Sequence, residues 1–113
     1  MFKGKKVLVL GLAKSGKAAV ELLKFMHADI TINESKKKED IPEYDTYVSE
    51  GIEMVCGGQP DELFERDFDF VVKNPGINYH APFILRLKER GIPVYTEIEL
   101  GYKVAKKQHY IAV

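Results

Sequence analysis

The stretch Val7-Leu-Val-Leu-Gly-Leu-Ala-Lys-Ser-Gly16 decides the fold. Val7 to Leu10 form an apolar run that can be buried on both faces, the pattern of a central strand in a parallel sheet. The run empties into a loop bracketed by Gly11 and Gly16, and a helical pattern begins there, with Ala18, Ala19, Leu22, Leu23 and Met26 at helical spacing. A loop that opens a helix points unpaired backbone N–H groups and the positive end of the helix dipole at whatever lies above the sheet. That arrangement favours an anion, most often a phosphate.

Working outward, strand-like and helix-like segments alternate, which predicts an α/β domain with a parallel sheet. Residues 28–33 read as a second strand, 52–56 as a third closed by Gly57 and Gly58, 68–73 as a fourth stopped by Asn74-Pro75-Gly76, and 93–96 as a fifth. Residues 60–64 read as a short helix with Pro60 at its start. Residues 81–90 read as a helix ended by Gly91, and 97–107 as a last helix. The segment 34–47 is polar, carries Pro42 and reads as loop. Cys56 falls on a strand expected to be buried, where a thiol is inert. Together these elements predict a Rossmann-like, doubly wound domain: five strands, mainly parallel, with helices on both faces. Right-handed crossovers gather the strand-end loops on one edge of the sheet, and ligands bind at those carboxyl ends.

The composition bounds the function. A chain of 113 residues fits a single domain and buries roughly 65% of its unfolded surface without help from a disulfide or metal. Lys plus Arg and Asp plus Glu both number 17, so no net field draws nucleic acid or anionic lipid. One cysteine, no signal-peptide pattern at the N-terminus and no apolar run of about 20 residues fit a cytoplasmic protein without a membrane partner. His27, His80 and His109 share no motif, and no nucleophile elbow occurs, so the chain offers no catalytic machinery or metal set. The segment 110–113 reads as the beginning of a further strand, as expected of one domain of a larger protein.

Three loops are the candidate site. The first, Gly11 to Gly16, departs from G-x-G-x-x-G by Ala13, whose methyl crowds the approach of a pyrophosphate to the backbone. It also departs from the P-loop pattern, because Ala18 stands where a magnesium-binding hydroxyl belongs. Its bland alternative is a tight strand-to-helix turn. At the end of the second strand Glu34 follows Gly16 at about the 20-residue distance at which an acid meets a ribose or base. Ser35 and Lys36 stand beside it, and the charged run through Lys37 and Lys38 reads as a solvated face. Glu34 is expected on an exposed loop, so that its removal would weaken binding without lowering the melting temperature. The third loop, Asn74-Pro75-Gly76-Ile77, reads either as a plain turn or as a rigid wall beside a ligand.

The stretches 9–16 (Val-Leu-Gly-Leu-Ala-Lys-Ser-Gly), 72–77 (Val-Lys-Asn-Pro-Gly-Ile) and 91–100 (Gly-Ile-Pro-Val-Tyr-Thr-Glu-Ile-Glu-Leu) resemble, in this order, the N-terminal domain of the Mur ligases, nearest to the D-glutamate-adding branch. The resemblance runs from about Lys5 to Val113. It implies that residues 1–109 are a UDP-binding domain and that 110–113 begin a central ATPase domain. It implies UDP-N-acetylmuramoyl-L-alanine as the ligand, with ATP and magnesium serving only the full-length enzyme and this chain alone inactive. Its partners would be the central and C-terminal domains of its own longer chain. By the same resemblance Lys14, Ser15 and Gly16 hold the diphosphate, Glu34 and Ser35 bind the uridine, and Lys36 stands where an arginine occurs. Asn74, Pro75, Gly76 and Ile77 would line the uracil side. Two other readings stay open on the residues alone: an NAD- or flavin-binding domain with Glu34 on the ribose, and a non-catalytic regulatory module.

Overall fold

A computed structural model of the chain describes residues 4–12, 14–74 and 80–102, with the side chains of residues 14 and 15 left out. Ala13, Pro75, Gly76, Ile77, the end of the last expected helix and the segment 110–113 lie outside the described residues. The strands are β1 (Lys6–Leu10), β2 (Asp29–Glu34), β3 (Glu53–Cys56), β4 (Phe70–Lys73) and β5 (Val94–Thr96). The helices are α1 (Lys14–Phe25), α2 (Tyr44–Ser49) and α3 (Pro82–Glu89), with 3-10 turns at Lys38–Asp40 and Asp61–Glu65 and a helical segment at 97–102.

All five strands run parallel in the order β3-β2-β1-β4-β5. β1 lies at the centre, where the chain switches from one half of the sheet to the other, the arrangement of a doubly wound fold. Its burial on both faces is the reason for its unbroken apolar run. Val7 and Val9 enter one core with Ala19, Val20 and Leu23 of α1 and Tyr47 of α2. Leu8 and Leu10 enter the opposite core with Leu63, Phe64, Ile84 and Leu87. Register aligns the strand ends: Leu10 faces Asn33 on one side and Lys73 on the other, so Gly11, Glu34 and Asn74 leave the sheet together.

Two expectations are corrected here. The segment 34–47 is not plain loop. It carries a 3-10 turn and the start of α2, a helix of weak formers that is held by the burial of Ile41 and Tyr47 in the first core. Cys56 is half-buried rather than buried, because β3 is an edge strand covered on only part of its surface.

Helix α1 ends in a left-handed residue. His27 has φ 59°, its N–H donates to Lys24 O at 3.0 Å, and the Ala28 N–H donates to Leu23 O at 3.1 Å. These two bonds close a Schellman-type cap whose usual left-handed residue is glycine. His27 is exposed, so its ring contributes little packing to offset the backbone strain. His27→Gly is expected to stabilise the domain by about 0.5–1 kcal/mol, a rise of roughly 2–8 °C in Tm. Thermal unfolding of the two proteins side by side checks it, and an unchanged or lower Tm would show that the cap is not strained.

Candidate functional site

The loops from β1, β2 and β4 meet at the carboxyl edge of the sheet around a cleft of about 280 Å³, lined by Leu10, Gly11, Leu12, Asn33, Glu34, Ser35, Lys36, Gln59 and Asn74. Backbone pairing continues past the strands into this rim. The Gly11 N–H donates to Asn33 O at 2.8 Å, and the Asn74 N–H donates to Leu10 O at 3.3 Å. Gly11 turns the chain with φ 92°, and a Cβ there would come 3.8 Å from that of Asn74. Gly16, in the first turn of α1, packs so closely on the loop that a Cβ would overlap the Gly11 carbonyl oxygen. Glycine at 16 therefore sets how tightly the helix start folds back on the strand end, the packing role of the last glycine in nucleotide-binding turns.

Glu34 holds this arrangement together. It is 8% exposed, and its carboxylate accepts the Leu12 N–H at 2.8 Å on Oε1. Its Oε2 accepts the Lys36 N–H at 2.9 Å and the Ser35 hydroxyl at 3.2 Å. Burial alone would raise the pKa of this group. The Lys36 and Leu12 N–H donors, the Ser35 hydroxyl and the Lys36 charge outweigh burial and hold it below the ordinary value. The expectation of an exposed Glu34 is thus corrected: the acid is buried because its oxygens satisfy the backbone of the two neighbouring loops. Ser35 and Lys36 are exposed, as read from the sequence, and so are Lys37 and Lys38.

Of the residues assigned to the site from sequence, Glu34, Ser35, Lys36 and Asn74 line one cleft, and Gly16 lies beneath its rim. Lys14 and Ser15 begin α1 at the same edge. Pro75, Gly76 and Ile77 lie outside the described residues. Sequence reading placed Asn33 at the start of a site loop without giving it a role, and missed Gln59. Asn33 is buried and donates its amide to Val55 O at 3.1 Å and Gly58 O at 2.7 Å, fixing the turn that follows β3. The signal was Gly57-Gly58 before a polar residue at a strand end. Lys73, just before Asn74, is 2% exposed; burial pushes its amine below the ordinary lysine value, with Lys88 adding to the shift and Glu99 opposing it.

A larger groove of about 330 Å³ lies at the opposite, amino edge of the strands. Its main cation, Arg66, is engaged by both oxygens of Glu53 at 2.8 and 3.0 Å and lies 5.2 Å over the Phe68 ring. Depth alone does not make a site. The carboxyl edge has the helix start and the converging backbone turns, and the amino edge is closed by its own ion pair.

Residues 5–96 match the family model described as Mur ligase MurD-like, N-terminal domain. The UDP-N-acetylmuramoylalanine--D-glutamate ligase of Streptococcus thermophilus is 50% identical over 104 residues, covering 92% of this chain and 23% of that protein. The enzyme of the same name from Streptococcus agalactiae is 47% identical over 107 residues, covering 95% and 24% respectively. The chain therefore spans about a quarter of the length of the curated relatives it matches. Shikimate dehydrogenase from Aquifex aeolicus shares the fold with a TM-score of 0.51 over 85% of this chain and 43% of that one, at 15% identity. That likeness concerns the fold alone.

The stabilising contribution of the Glu34 carboxylate is present in full above the ordinary value of 4.5 and is lost as pH falls through the lower folded-state value. Glu34→Gln keeps the shape but loses the charge and one acceptor. It is expected to destabilise the domain by about 1–3 kcal/mol near neutral pH. The gap from the parent should narrow on acidification toward about pH 3. Denaturant titrations of both proteins at the two pH values check this, and equal stabilities at neutral pH would contradict the clamp.

Proposed function

We propose, because the chain belongs to the MurD-like N-terminal domain family of the Mur ligases, that it grips the UDP end of a ligase substrate. The substrate is UDP-N-acetylmuramoyl-L-alanine, and the full-length protein is a cytoplasmic ligase that joins D-glutamate to its alanyl carboxylate in peptidoglycan precursor synthesis. The observation that carries this reading is the carboxyl-edge cleft, where Glu34 holds the β1–α1 turn in place beside the start of α1. The N–H groups of Lys14, Ser15 and Gly16 stand at the positive end of α1, suited to the diphosphate. Ser15 adds a hydroxyl donor, Lys36 a cation and Asn74, with Pro75, Gly76 and Ile77, the wall on the uracil side. Glu34 contributes to the uridine through Ser35 and Lys36, which it orients.

Such a domain acts by position. Holding the nucleotide end fixes where the distant carboxylate can lie, and that restriction is the proximity contribution to the reaction. In the full-length ligase ATP and magnesium would supply the activation of the carboxylate, and the residues in this chain do not fit them. The 113 residues contain no G-x-x-x-x-G-K-[ST], and among the described residues no three His, Cys, Asp or Glu side chains converge as metal ligands. We assign that chemistry to the remaining three quarters of the ligase, the central and C-terminal domains, with residues 110–113 leading into the former. Among the described residues no helix is long and apolar enough to cross a membrane, in keeping with a cytoplasmic reading.

Calorimetric titration of the chain with UDP, UDP-N-acetylmuramoyl-L-alanine and NAD tests the reading. Both uridine ligands are expected to bind and NAD to bind much more weakly, since alanine stands at position 13 where the dinucleotide fingerprint has its second glycine. Ser15→Ala should lose about 1 kcal/mol, roughly fivefold, because the backbone N–H groups remain. Preferential binding of NAD would replace this function with a redox one.

A further inference from the structure

Two ion pairs join α1 to the residues that flank α2, one toward each end of α1. Near the start Glu43 Oε1 lies 2.8 Å from Lys17 Nζ, and toward the end Glu50 pairs with Lys24. Glu43 is the N-cap residue of α2, yet its side chain makes no cap hydrogen bond to that helix. An acid at an N-cap ordinarily accepts from the second or third residue of its own helix. The second oxygen, Oε2, is shut off from solvent and has no hydrogen-bond partner among the described residues. The Glu43 side chain is therefore committed to one cation, whereas Glu34 commits both oxygens to loop N–H groups.

That cation belongs to the first turn of α1. Helical side chains lean toward the helix start, so the Lys17 stem runs along the turn whose N–H groups are assigned to the diphosphate. Lys36, on the rim of the cleft, acts on the same acid. The Lys17 ammonium first, the residue's own backbone N–H next and the Lys36 charge last hold the Glu43 carboxyl below its ordinary value, against the opposing effect of burial. The side chains of Lys17 and Glu43 are 46% and 33% exposed, and a pair so open to water contributes little to stability. It can be rearranged at small cost to the fold. Its carboxylate meanwhile cancels part of the positive field that draws an anion to the start of α1.

We infer that Glu43 is an internal counterion of the nucleotide site: it holds the Lys17 ammonium in place of a ligand phosphate and so sets how strongly the start of α1 draws a diphosphate. Glu43 is a positioning residue that acts through Lys17 and touches no ligand. A diphosphate at the start of α1 competes with Glu43 for the one cation, so freeing Lys17 raises affinity and deleting Lys17 lowers it. The inference rests on the placing of the diphosphate at α1. It adds to that reading an ion pair outside the cleft, neither member of which is among the site residues assigned from sequence.

Calorimetric titration of UDP and of inorganic pyrophosphate into the parent, Glu43→Gln, Lys17→Ala, the double variant and Glu50→Gln tests it, with Tm recorded for each. Affinity for both ligands should rise about two- to fivefold in Glu43→Gln and fall by a similar factor in Lys17→Ala, where the carboxylate is left without its cation. The double variant should return to the parent value, and added salt should shrink every one of these differences. Glu50→Gln alters the matching pair at the far end of α1 and should leave affinity unchanged. A pair that only braces the two helices would instead lower Tm in Glu43→Gln without raising affinity. UDP affinity unchanged or lower in Glu43→Gln, a rise that persists in full in the double variant, or a rise that Glu50→Gln reproduces would overturn the counterion role while leaving the nucleotide site standing. A parent that binds neither UDP nor pyrophosphate overturns the diphosphate reading itself, and the counterion role with it.

Discussion

The hydrogen bond from the Leu12 N–H to the Glu34 carboxylate joins two loops that lie 22 residues apart in the chain. A buried carboxylate costs several kcal/mol unless its oxygens are satisfied. Here they are satisfied by Leu12, Lys36 and Ser35, which come from both sides of the cleft. The charge therefore sets the conformation of the β1–α1 turn at the same time as that of the β2 end. With the Leu12 side chain buried in the first core, the turn is held by both its backbone and its side chain. Gly16 completes the constraint, since the approach of α1 to Gly11 leaves no room for a Cβ.

From this constraint the cleft acquires its polarity before any ligand arrives. A negative carboxylate collects N–H groups around itself, so its hydrogen-bonding capacity goes largely to the loops. The start of α1 and the exposed Lys36 are left as electropositive features of the rim. The arrangement separates two tasks that sequence patterns of nucleotide sites merge into one acidic residue. Glu34 organises the loops, while exposed groups around it are free to meet a ligand. The Asn33 amide extends the same device outward by holding the turn after β3 to the end of β2.

Much of the fold was legible in the residues because β1 is buried on both faces and the helices next to it have clear periodicity. Even so, the face of α1 was read one position off in places: Ala18 is exposed, and Val20 supplies the buried side chain. The segment 34–47 was misread because α2 owes its helix to tertiary burial of Tyr47 and Ile41 rather than to local propensity. Cys56 was misjudged because a short apolar run does not distinguish an edge strand from a central one. Glu34 was correctly placed at the end of β2. Its inward role was hidden, because it depends on an N–H from Leu12, whose proximity exists only after β1 and β2 pair. Gln59 belongs to the same class, a polar residue in a turn whose neighbours are fixed by bonds from another strand.

The central claim is that Glu34 acts on the loops and the loops act on the nucleotide. A crystal structure of the chain with UDP bound tests it most directly. The account predicts the diphosphate at the start of α1, with the Glu34 carboxylate still accepting the N–H groups of Leu12 and Lys36. A Glu34 side chain that leaves those donors to bond the nucleotide, or a UDP bound at the amino edge beside Arg66, would contradict it.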